Sequence, residues 1–220
     1  MNKAGILLID KPQGITSHDV VDIVRKKFRM RRIGHAGTLD PLATGLLIIL
    51  VGEATKQFNR FVNFDKEYDA SLRLGTATDT GDSCGKVVKS EKYDTLTEEK
   101  IVPVLETLVG NITHIPPMVS AIKHKGRPLY QLARKGILVE RKARMVTIHS
   151  LRLLNLSLPD MEFNVTCSKG TYVRSLGEEI ARRLNCVGHI FRIRRLAIGP
   201  YSVSHAKGID NFNEDDIRPF

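Results

Sequence analysis

The feature that most constrains the fold of this sequence is an unbroken apolar run of six residues, Leu46–Val51. A run this short falls well below the ~18 apolar residues of a membrane span, and it is typical of a strand buried on both faces. A shorter apolar run, Ile6–Ile9, ends at a charge and is too short for the core of a signal peptide. We therefore expect two buried strands in a cytoplasmic protein that is not associated with a membrane.

The remaining periodicity predicts an α+β fold with a mixed, mostly antiparallel sheet flanked by helices. Thr16 offers a helix N-cap ahead of apolar residues at helical spacing, and residues 68–74 alternate like a half-buried strand. Strands outnumber helices and do not alternate strictly with them, which favours this class. Further helices are expected over 53–64, from Thr97 to Gly110-Asn111 and over 171–185, and further strands over 4–10, 163–167 and 191–198.

Composition excludes several classes of protein. The chain has 220 residues, 42% hydrophobic and 26% charged, which fits one large or two small globular domains. A disordered tail, a collagen-like fibre and a disulfide scaffold are excluded by the same figures. Cys84, Cys167 and Cys186 lack metal-site spacing and predict reduced thiols in a cytosolic protein.

The charge balance is unusual, since 34 basic residues against 24 acidic ones give a net charge of +10. A pI near 9.6 is expected of a protein that meets a polyanion, although many basic proteins bind nothing specific. The cations concentrate in Arg25–Arg32, Lys123–Arg127 and Arg134–Arg144. Each run is either a solvated surface or a set of phosphate contacts, and the net charge favours the second. Residues 115–144 are polar and basic enough to predict a mobile arm.

Two loops resemble ligand-binding motifs only in part. Segment Gly81–Val87 resembles a phosphate-binding P-loop, but its two glycines are one residue closer together than that motif requires. Val87 also occupies the position at which a P-loop needs a Ser or Thr hydroxyl to bind magnesium. A calcium loop starting at Asp79 would place Ser90 where a bidentate carboxylate is needed. We therefore expect no metal and no cofactor.

The segment that stands apart is Gly34–Leu46, in which glycines bracket a single acid, Asp40. Pro41 disfavours a helical conformation at Asp40, and Gly37 and Gly45 allow close backbone approach on either side. One interpretation is a carboxylate held rigidly where another molecule can approach it. The other is a turn in which Asp40 caps a neighbouring amide.

Segment Gly34–Leu46 resembles the catalytic motif of the TruB family of pseudouridine synthases, which form pseudouridine-55 in the T-loop of tRNA. The resemblance runs in order from about residue 4 to 205 and implies the pseudouridine synthase fold. This sequence departs from the family pattern at Ile193, where bacterial relatives commonly carry Leu, and we expect it to lack the C-terminal PUA domain that is usual in the family. The other matching motifs are Asp10–Ser17, Lys66–Tyr68, Thr78–Asp82, Pro116–Ala121, Cys167–Arg174 and Arg194–Leu196.

The resemblance implies a role for each matching residue. Asp40 is the essential carboxylate, acting either as a nucleophile or as a base on the sugar, and Arg174 pairs with it. The residues expected to hold the flipped uridine are Tyr68, which stacks on it, Ile193, which walls its pocket, Tyr172, which contacts it, and His35, which fills the space it leaves. The residues expected to contact RNA are Lys11, Asp82, Arg31, Arg32, Lys123, Lys125 and Arg127.

The alternatives from the residues alone stay open. Tyr68 and Ile193 fit a core, and His35 fits a structural histidine. Tyr172 and Arg174 can act together only if the backbone is extended where it leads into the helix, because residues two apart diverge on a helix.

The implied organisation is a synthase domain over 1–208 that includes the arm, and a frayed acidic tail over 209–220. The implied partner is the T-arm of tRNA, with no guide RNA, no membrane and no obligate protein partner. A non-catalytic RNA-binding or chaperone module and a guide-dependent relative are the competing functions.

Overall fold

The structure is a computed structural model that describes residues 4–93, 95–120, 122–133 and 135–220. Ala121 and Arg134, which belong to the predicted arm, lie outside the described residues, as do positions 1–3. The chain divides into two compact units. The first unit is Met1–Asp69 with Arg192–Phe220, and the second unit is Ala70–Phe191.

The described residues form an α+β fold, as predicted. The strands are β1 Gly5–Lys11, β2 Ile33–Ala36, β3 Thr44–Val51, β4 Lys66–Leu74, β5 Thr76–Thr78, β6 Val87–Ser90, β7 Gly110–His114, β8 Lys123–His124, β9 Arg127–Pro128, β10 Arg144–Ser157, β11 Asp160–Cys167, β12 Gly188–Ile198, β13 Tyr201–Ser202 and β14 Lys207–Gly208. The helices are α1 Ser17–Phe28, α2 Phe58–Val62, α3 Glu98–Glu106, α4 Leu129–Ala133 and α5 Val173–Arg183. Short 3₁₀ helices cover Gly52–Gln57, Val203–His205 and Glu214–Asp216.

In the first unit the strand order is β14-β1-β3-β12, with β2 also paired to β3. β1 runs antiparallel to β3, and β12 runs parallel to it through Arg194↔Thr44 and Arg195↔Gly45. Alternate residues of β3 enter two separate apolar clusters, Leu47 in the one with α1 and Leu46 in the one with Phe61. Both faces of β3 are therefore covered, which explains its unbroken apolar run.

Helix α1 forms as its sequence predicts. Thr16 caps it, because its hydroxyl accepts the N–H of Asp19 while the Asp19 carboxylate accepts the N–H of Thr16. The apolar stripe of Val20, Val24 and Phe28 is buried against β1 and β3.

The acidic C-terminal segment is attached to the core at two points, which differs from the frayed end that the sequence predicts. Phe212 is 1% exposed and meets Phe28 edge-on, with the ring centroids 5.5 Å apart. Ile6 and Arg218 exchange two backbone hydrogen bonds of 2.9 and 2.8 Å. An aromatic residue in this acidic segment supplies the apolar surface that fixes it to the core.

In the second unit the strand order is β4-β11-β10-β7, and α3 packs against β10 and α5. β5 pairs with β6, and β8 with β9, as separate two-stranded ribbons. Cys84 is exposed, Cys167 and Cys186 are buried, and no disulfide joins the three. No described helix combines the length and the apolar character needed to cross a membrane.

Two expected helices differ from the observed elements. Residues 53–64 divide between the 3₁₀ helix Gly52–Gln57 and the short helix α2. The helix that follows Thr97 ends at Glu106, and Gly110-Asn111 begins β7 instead of closing the helix. Gly110 has a φ of 105°, a conformation in which glycine turns the chain directly into the strand.

Gly45 provides a test of the β3–β12 pairing. Its φ is 102°, and a Cβ there would lie 2.3 Å from the Arg195 carbonyl oxygen. Strain and clash together should make Gly45→Ala lose about 3 kcal/mol or more of unfolding free energy. The measurement is urea unfolding followed by circular dichroism. Gly208→Ala, where a Cβ would meet nothing within 4 Å, is the matched control, and equal losses in both variants would contradict this account.

Candidate active site

Asp40 lies in the loop between β2 and β3, where it is half-buried. Its carbonyl oxygen accepts the N–H of Ala43 at 3.0 Å, which closes a turn through Pro41 and Leu42. The carbonyl of Pro41 accepts the N–H of Gly14 at 2.8 Å. The acid predicted from the sequence is thus on a loop whose backbone is bonded, and it is neither enclosed in the core nor fully exposed.

Arg195 ties together the two ends of this loop. Its side chain is 1% exposed, and its Nε donates to the Leu46 carbonyl at 2.7 Å. Its Nη2 donates to the Gly37 carbonyl at 3.1 Å. Since a buried guanidinium needs partners for its donors, these carbonyls stabilise the cation while the cation fixes the loop. Arg195 lies in the matching motif Arg194–Leu196, but no role for it was predicted from the sequence.

Lys11 is a second buried cation near Asp40. Its side chain is 0% exposed, and its Nζ donates to the carbonyls of Pro12 and Ile15, each at 2.8 Å. Burial lowers the pKa of Lys11 to about 8, although the charge of Asp40 raises it and that of Arg195 lowers it further. Its ammonium group is enclosed and bonded within the protein, and the expected contact of Lys11 with RNA stays a prediction.

His35, on β2, is neutral at pH 7. Burial, with the charges of Arg195 and His18 adding to it, lowers the pKa of its ring to about 4. Its buried Nδ1 has no hydrogen-bond partner among the described residues. A neutral ring can occupy space or accept a hydrogen bond, but it carries no proton to donate as imidazolium.

Tyr68 and Ile193 are both buried, on β4 and β12. The carbonyl of Ile193 accepts the Thr44 hydroxyl at 3.4 Å, next to the start of β3. Burial suits an apolar pocket wall and a core residue equally, so their roles toward a base stay predictions.

Arg174 is the centre of a buried cluster in the second unit. It is 1% exposed, with Nη1 donating to the Thr80 carbonyl at 2.8 Å and Nη2 to the Val119 carbonyl at 2.7 Å. Its Nε lies 3.5 Å from Oδ2 of Asp82. The pairing of Arg174 with Asp40 stays a prediction.

Asp82 is part of this cluster, and its expected contact with RNA stays a prediction. It is 6% exposed, and its Oδ1 accepts the Thr80 hydroxyl at 2.7 Å and the N–H of Cys84 at 3.0 Å. Glu178 is a further acid at this place that the sequence analysis missed. Burial raises the pKa of Glu178, while the charges of Arg174 and Arg141 oppose that rise. Its position on α5 one turn after Arg174 was the available signal.

Tyr172 is extended, as its expected role requires, with φ −99° and ψ 116° at the N-cap of α5. Its N–H donates to Nε2 of His114 at 2.9 Å, and the two rings stack with centroids 6.3 Å apart. The Arg144 guanidinium lies 5.2 Å from the centroid of the Tyr172 ring. The ring of Tyr172 is therefore oriented by two neighbours.

The predicted RNA contacts differ in their partners within the protein. Arg31 and Arg32 are both exposed, but Arg32 is paired with Glu53 and donates to the Thr55 hydroxyl at 3.0 Å. In the arm, three exposed cations lie on the β8–β9 ribbon and its turn, namely Lys123, Lys125 and Arg127. The first two, with Arg141, Lys142 and Arg144, line a cavity of about 610 Å³, and Glu140 is the only acid among the described residues that line it.

The geometry thus brings Lys11, His35, Asp40 and Arg195 together in the first unit. The second unit contains the other group of candidate residues, namely Asp82, Tyr172, Arg174 and Glu178. Within the described ranges no three of His, Cys, Asp and Glu are grouped as metal ligands. The chemistry available is that of a positioned carboxylate beside buried cations.

His114 generates a prediction on acid stability. Burial lowers its pKa from 6.5 to about 4, so the unfolded chain binds a proton there that the folded protein excludes. Stability should be intact above pH 6.5 and fall as the pH drops toward 4, by up to ~3 kcal/mol at ~1.4 kcal/mol per pH unit. His114→Gln keeps an acceptor for the Tyr172 N–H without a titrating ring, so its unfolding free energy should fall less steeply.

The measurement is urea unfolding at pH 7, 6, 5 and 4. The exposed His205 supplies the control variant, His205→Gln, which should follow the wild-type curve. If the unfolding free energies of wild type and His114→Gln fall in parallel with pH, the His114 ring is not held neutral in the folded protein.

Comparison with known proteins identifies the family. The family model of the TruB family pseudouridylate synthase, N-terminal domain, matches residues 25–173. The tRNA pseudouridine synthase B of Clostridium tetani is 45% identical over 216 residues, which cover 98% of this chain and 75% of that protein. The synthase of the same name from Syntrophotalea carbinolica is 46% identical over 202 residues, 92% of this chain and 66% of that protein.

Solved structures agree on the fold. The crystal structure of a Cbf5-Nop10-Gar1 complex contains a chain that is 26% identical, with a TM-score of 0.75 over 98% of this chain and 60% of that one. An H/ACA RNP bound to a substrate RNA containing 2′-deoxyuridine gives a TM-score of 0.70 at 25% identity, over 94% and 51%. With the family match and the identities near 45%, these similarities lead to one conclusion: the chain belongs to the TruB family of pseudouridylate synthases.

Proposed function

We propose that this protein isomerises uridine 55 in the T-loop of tRNA to pseudouridine, without a guide RNA, and that Asp40 is its catalytic carboxylate. The observation that carries the proposal is the loop of Asp40, bonded through Gly37 and Pro41 and placed near the buried cations Lys11 and Arg195. The name of the relatives, tRNA pseudouridine synthase B, supports tRNA as the substrate.

The reaction itself explains why one carboxylate suffices. The bond from N1 of uracil to C1′ of the ribose breaks, the base turns, and C5 bonds to C1′, while C5 loses a proton and N1 gains one. Nothing is oxidised or reduced, so neither a nucleotide nor a metal is needed. Asp40 supplies either a nucleophile or a base for a sugar proton, from a loop whose ends are bonded to the buried Arg195.

The target base must leave its stack to reach such a site, at a cost of a few kcal/mol. Tyr68 offers a ring for stacking and Ile193 an apolar wall, while the oriented ring of Tyr172 offers a further contact. His35, neutral at pH 7, suits a role in filling space rather than in proton transfer.

Two other functions compete with this one. A non-catalytic RNA-binding module would retain the basic surface without needing the bonded Asp40 loop. A guide-dependent enzyme is favoured by the similarity to Cbf5 structures, but the identity to those chains is 25–26% against 45% to tRNA pseudouridine synthase B. The stand-alone enzyme is therefore the better supported.

The decisive test follows loss of the C5 hydrogen. A T-arm minihelix carrying 5-tritiated uridine is incubated with protein alone, and released tritium is counted. Wild type and Asp210→Asn, a change at an exposed acid, should release it equally, and Asp40→Asn should release none.

A minihelix with cytidine in place of uridine 55 should release no tritium from its other uridines. No release by wild type from the normal minihelix would overturn the proposed activity. Equal release by Asp40→Asn would overturn the assignment of Asp40 alone.

The contrast between Arg31 and Arg32 tests the RNA-binding surface. A phosphate contact contributes ~0.7–0.9 to the slope of log affinity against log salt, through counterion release. Arg31→Ala should lower both the affinity for the T-arm and this slope by about one contact. Arg32→Ala should do less, since Glu53 already pairs with its guanidinium. The measurement is fluorescence anisotropy with labelled T-arm RNA at several salt concentrations, and equal slopes for wild type and Arg31→Ala would show that Arg31 is not part of the RNA-binding surface.

A further inference from the structure

We propose that Ser17 is a positioning residue for Asp40, which it holds in place through the backbone of Leu39. The inference rests on the proposed function, because it assumes that turnover depends on where the Asp40 carboxylate stands.

The hydroxyl of Ser17 makes two bonds to a single residue. Its Oγ accepts the N–H of Leu39 at 2.8 Å and donates to the Leu39 carbonyl at 3.2 Å. A hydroxyl has one proton to give and lone pairs to accept with, so one side chain satisfies both polar groups of that peptide residue. Ser17 is 1% exposed, which excludes water as an alternative partner for it. The residue directly before Asp40 is thereby fixed.

The Ser17 hydroxyl does not cap its own helix, α1. Ser17 is the first residue of α1, but the capping of α1 is carried out by Thr16, whose hydroxyl accepts the N–H of Asp19 at 3.1 Å. The reciprocal bond, from the Thr16 N–H to the Asp19 carboxylate, completes the cap at 2.7 Å. The Ser17 side chain therefore bonds to Leu39 in the Asp40 loop, 22 residues further along the chain, and not to α1.

The residue after Asp40 is held from the same segment. The N–H of Gly14 donates to the Pro41 carbonyl at 2.8 Å, so the two neighbours of Asp40 are bonded to residues 14 and 17. Gly14 contributes through its backbone, which substitution cannot remove. Ser17 contributes through its side chain, which makes it the member of this pair that mutagenesis can test.

Small displacements of a reacting group carry a large effect on rate, since a shift of about 1 Å can cost ~100-fold. Ser17→Ala removes one oxygen atom from a close-packed site and leaves the N–H and carbonyl of Leu39 buried without it. The loop can recover those bonds only by moving toward water, and Asp40 moves with it. We expect kcat to fall ~10- to 100-fold and KM to stay within about threefold, because RNA contacts elsewhere are untouched.

The experiment measures kcat and KM for tritium release from the T-arm minihelix, together with the urea midpoint of each variant. Thr16→Ala is the matched control, because loss of a helix cap destabilises α1 by ~1 kcal/mol without removing a bond to the Asp40 loop. It should lower the urea midpoint while keeping kcat within about twofold of wild type. Should Ser17→Ala fail to fold, Ser17→Cys, whose thiol is a weaker donor and acceptor, replaces it with the same expected direction.

A fall in kcat for the Ser17 variant alone supports the inference. A kcat within about threefold of wild type, an equal fall in Thr16→Ala, or an effect confined to KM overturns it. Each of these results requires an active wild type, which leaves the proposed function standing. An inactive wild type overturns the function, and this inference with it.

Discussion

The guanidinium of Arg195, buried against the carbonyls of Gly37 and Leu46, is the interaction on which the site in the first unit depends. It needs the parallel pairing of β12 with β3 to place it, and it needs Gly45 to let the two backbones approach. In return its charge holds both ends of the segment that carries Asp40. Burying the guanidinium without these carbonyls would raise the free energy of the folded state. The buried cation and the loop conformation therefore stabilise each other.

A second consequence of burying charge concerns the electrostatics around Asp40. Lys11 is held by two carbonyls and has a lowered pKa, and His35 is kept neutral. Lys11 and Arg195 are thus buried, whereas the cations of the β8–β9 ribbon and its turn, Lys123, Lys125 and Arg127, are exposed. Under the proposed function, the exposed cations would attract the RNA, and the buried ones would hold the Asp40 loop in place.

The sequence predicted those parts of the fold in which pattern and packing agree. Helix α1 and strand β3 have a clear period or run, and their bounds were nearly correct. Strand β10 was missed because its register shifts between Ile148 and Ser150 and between Leu153 and Asn155, which breaks the alternation that marks a strand.

For the site, the sequence predicted which residues could take part but not the environment of each side chain. Asp40 stood out because glycines and Pro41 surround it, and this is local information. The resemblance implied RNA contacts for Lys11 and Asp82, but it did not reveal that both are buried and compensated by backbone carbonyls and neighbouring donors. Partners that are distant in sequence cannot be read from one chain, and this is why Arg195 received no role.

The distribution of cysteines has a practical consequence. Cys84 is exposed and its N–H is bonded to Asp82, whereas Cys167 and Cys186 are buried. A maleimide dye or nitroxide added to the native protein should therefore attach at one position, two residues from the acid that faces Arg174. Such a reporter would follow the environment of that buried cluster in real time as RNA is added, with no cysteine having to be introduced or removed.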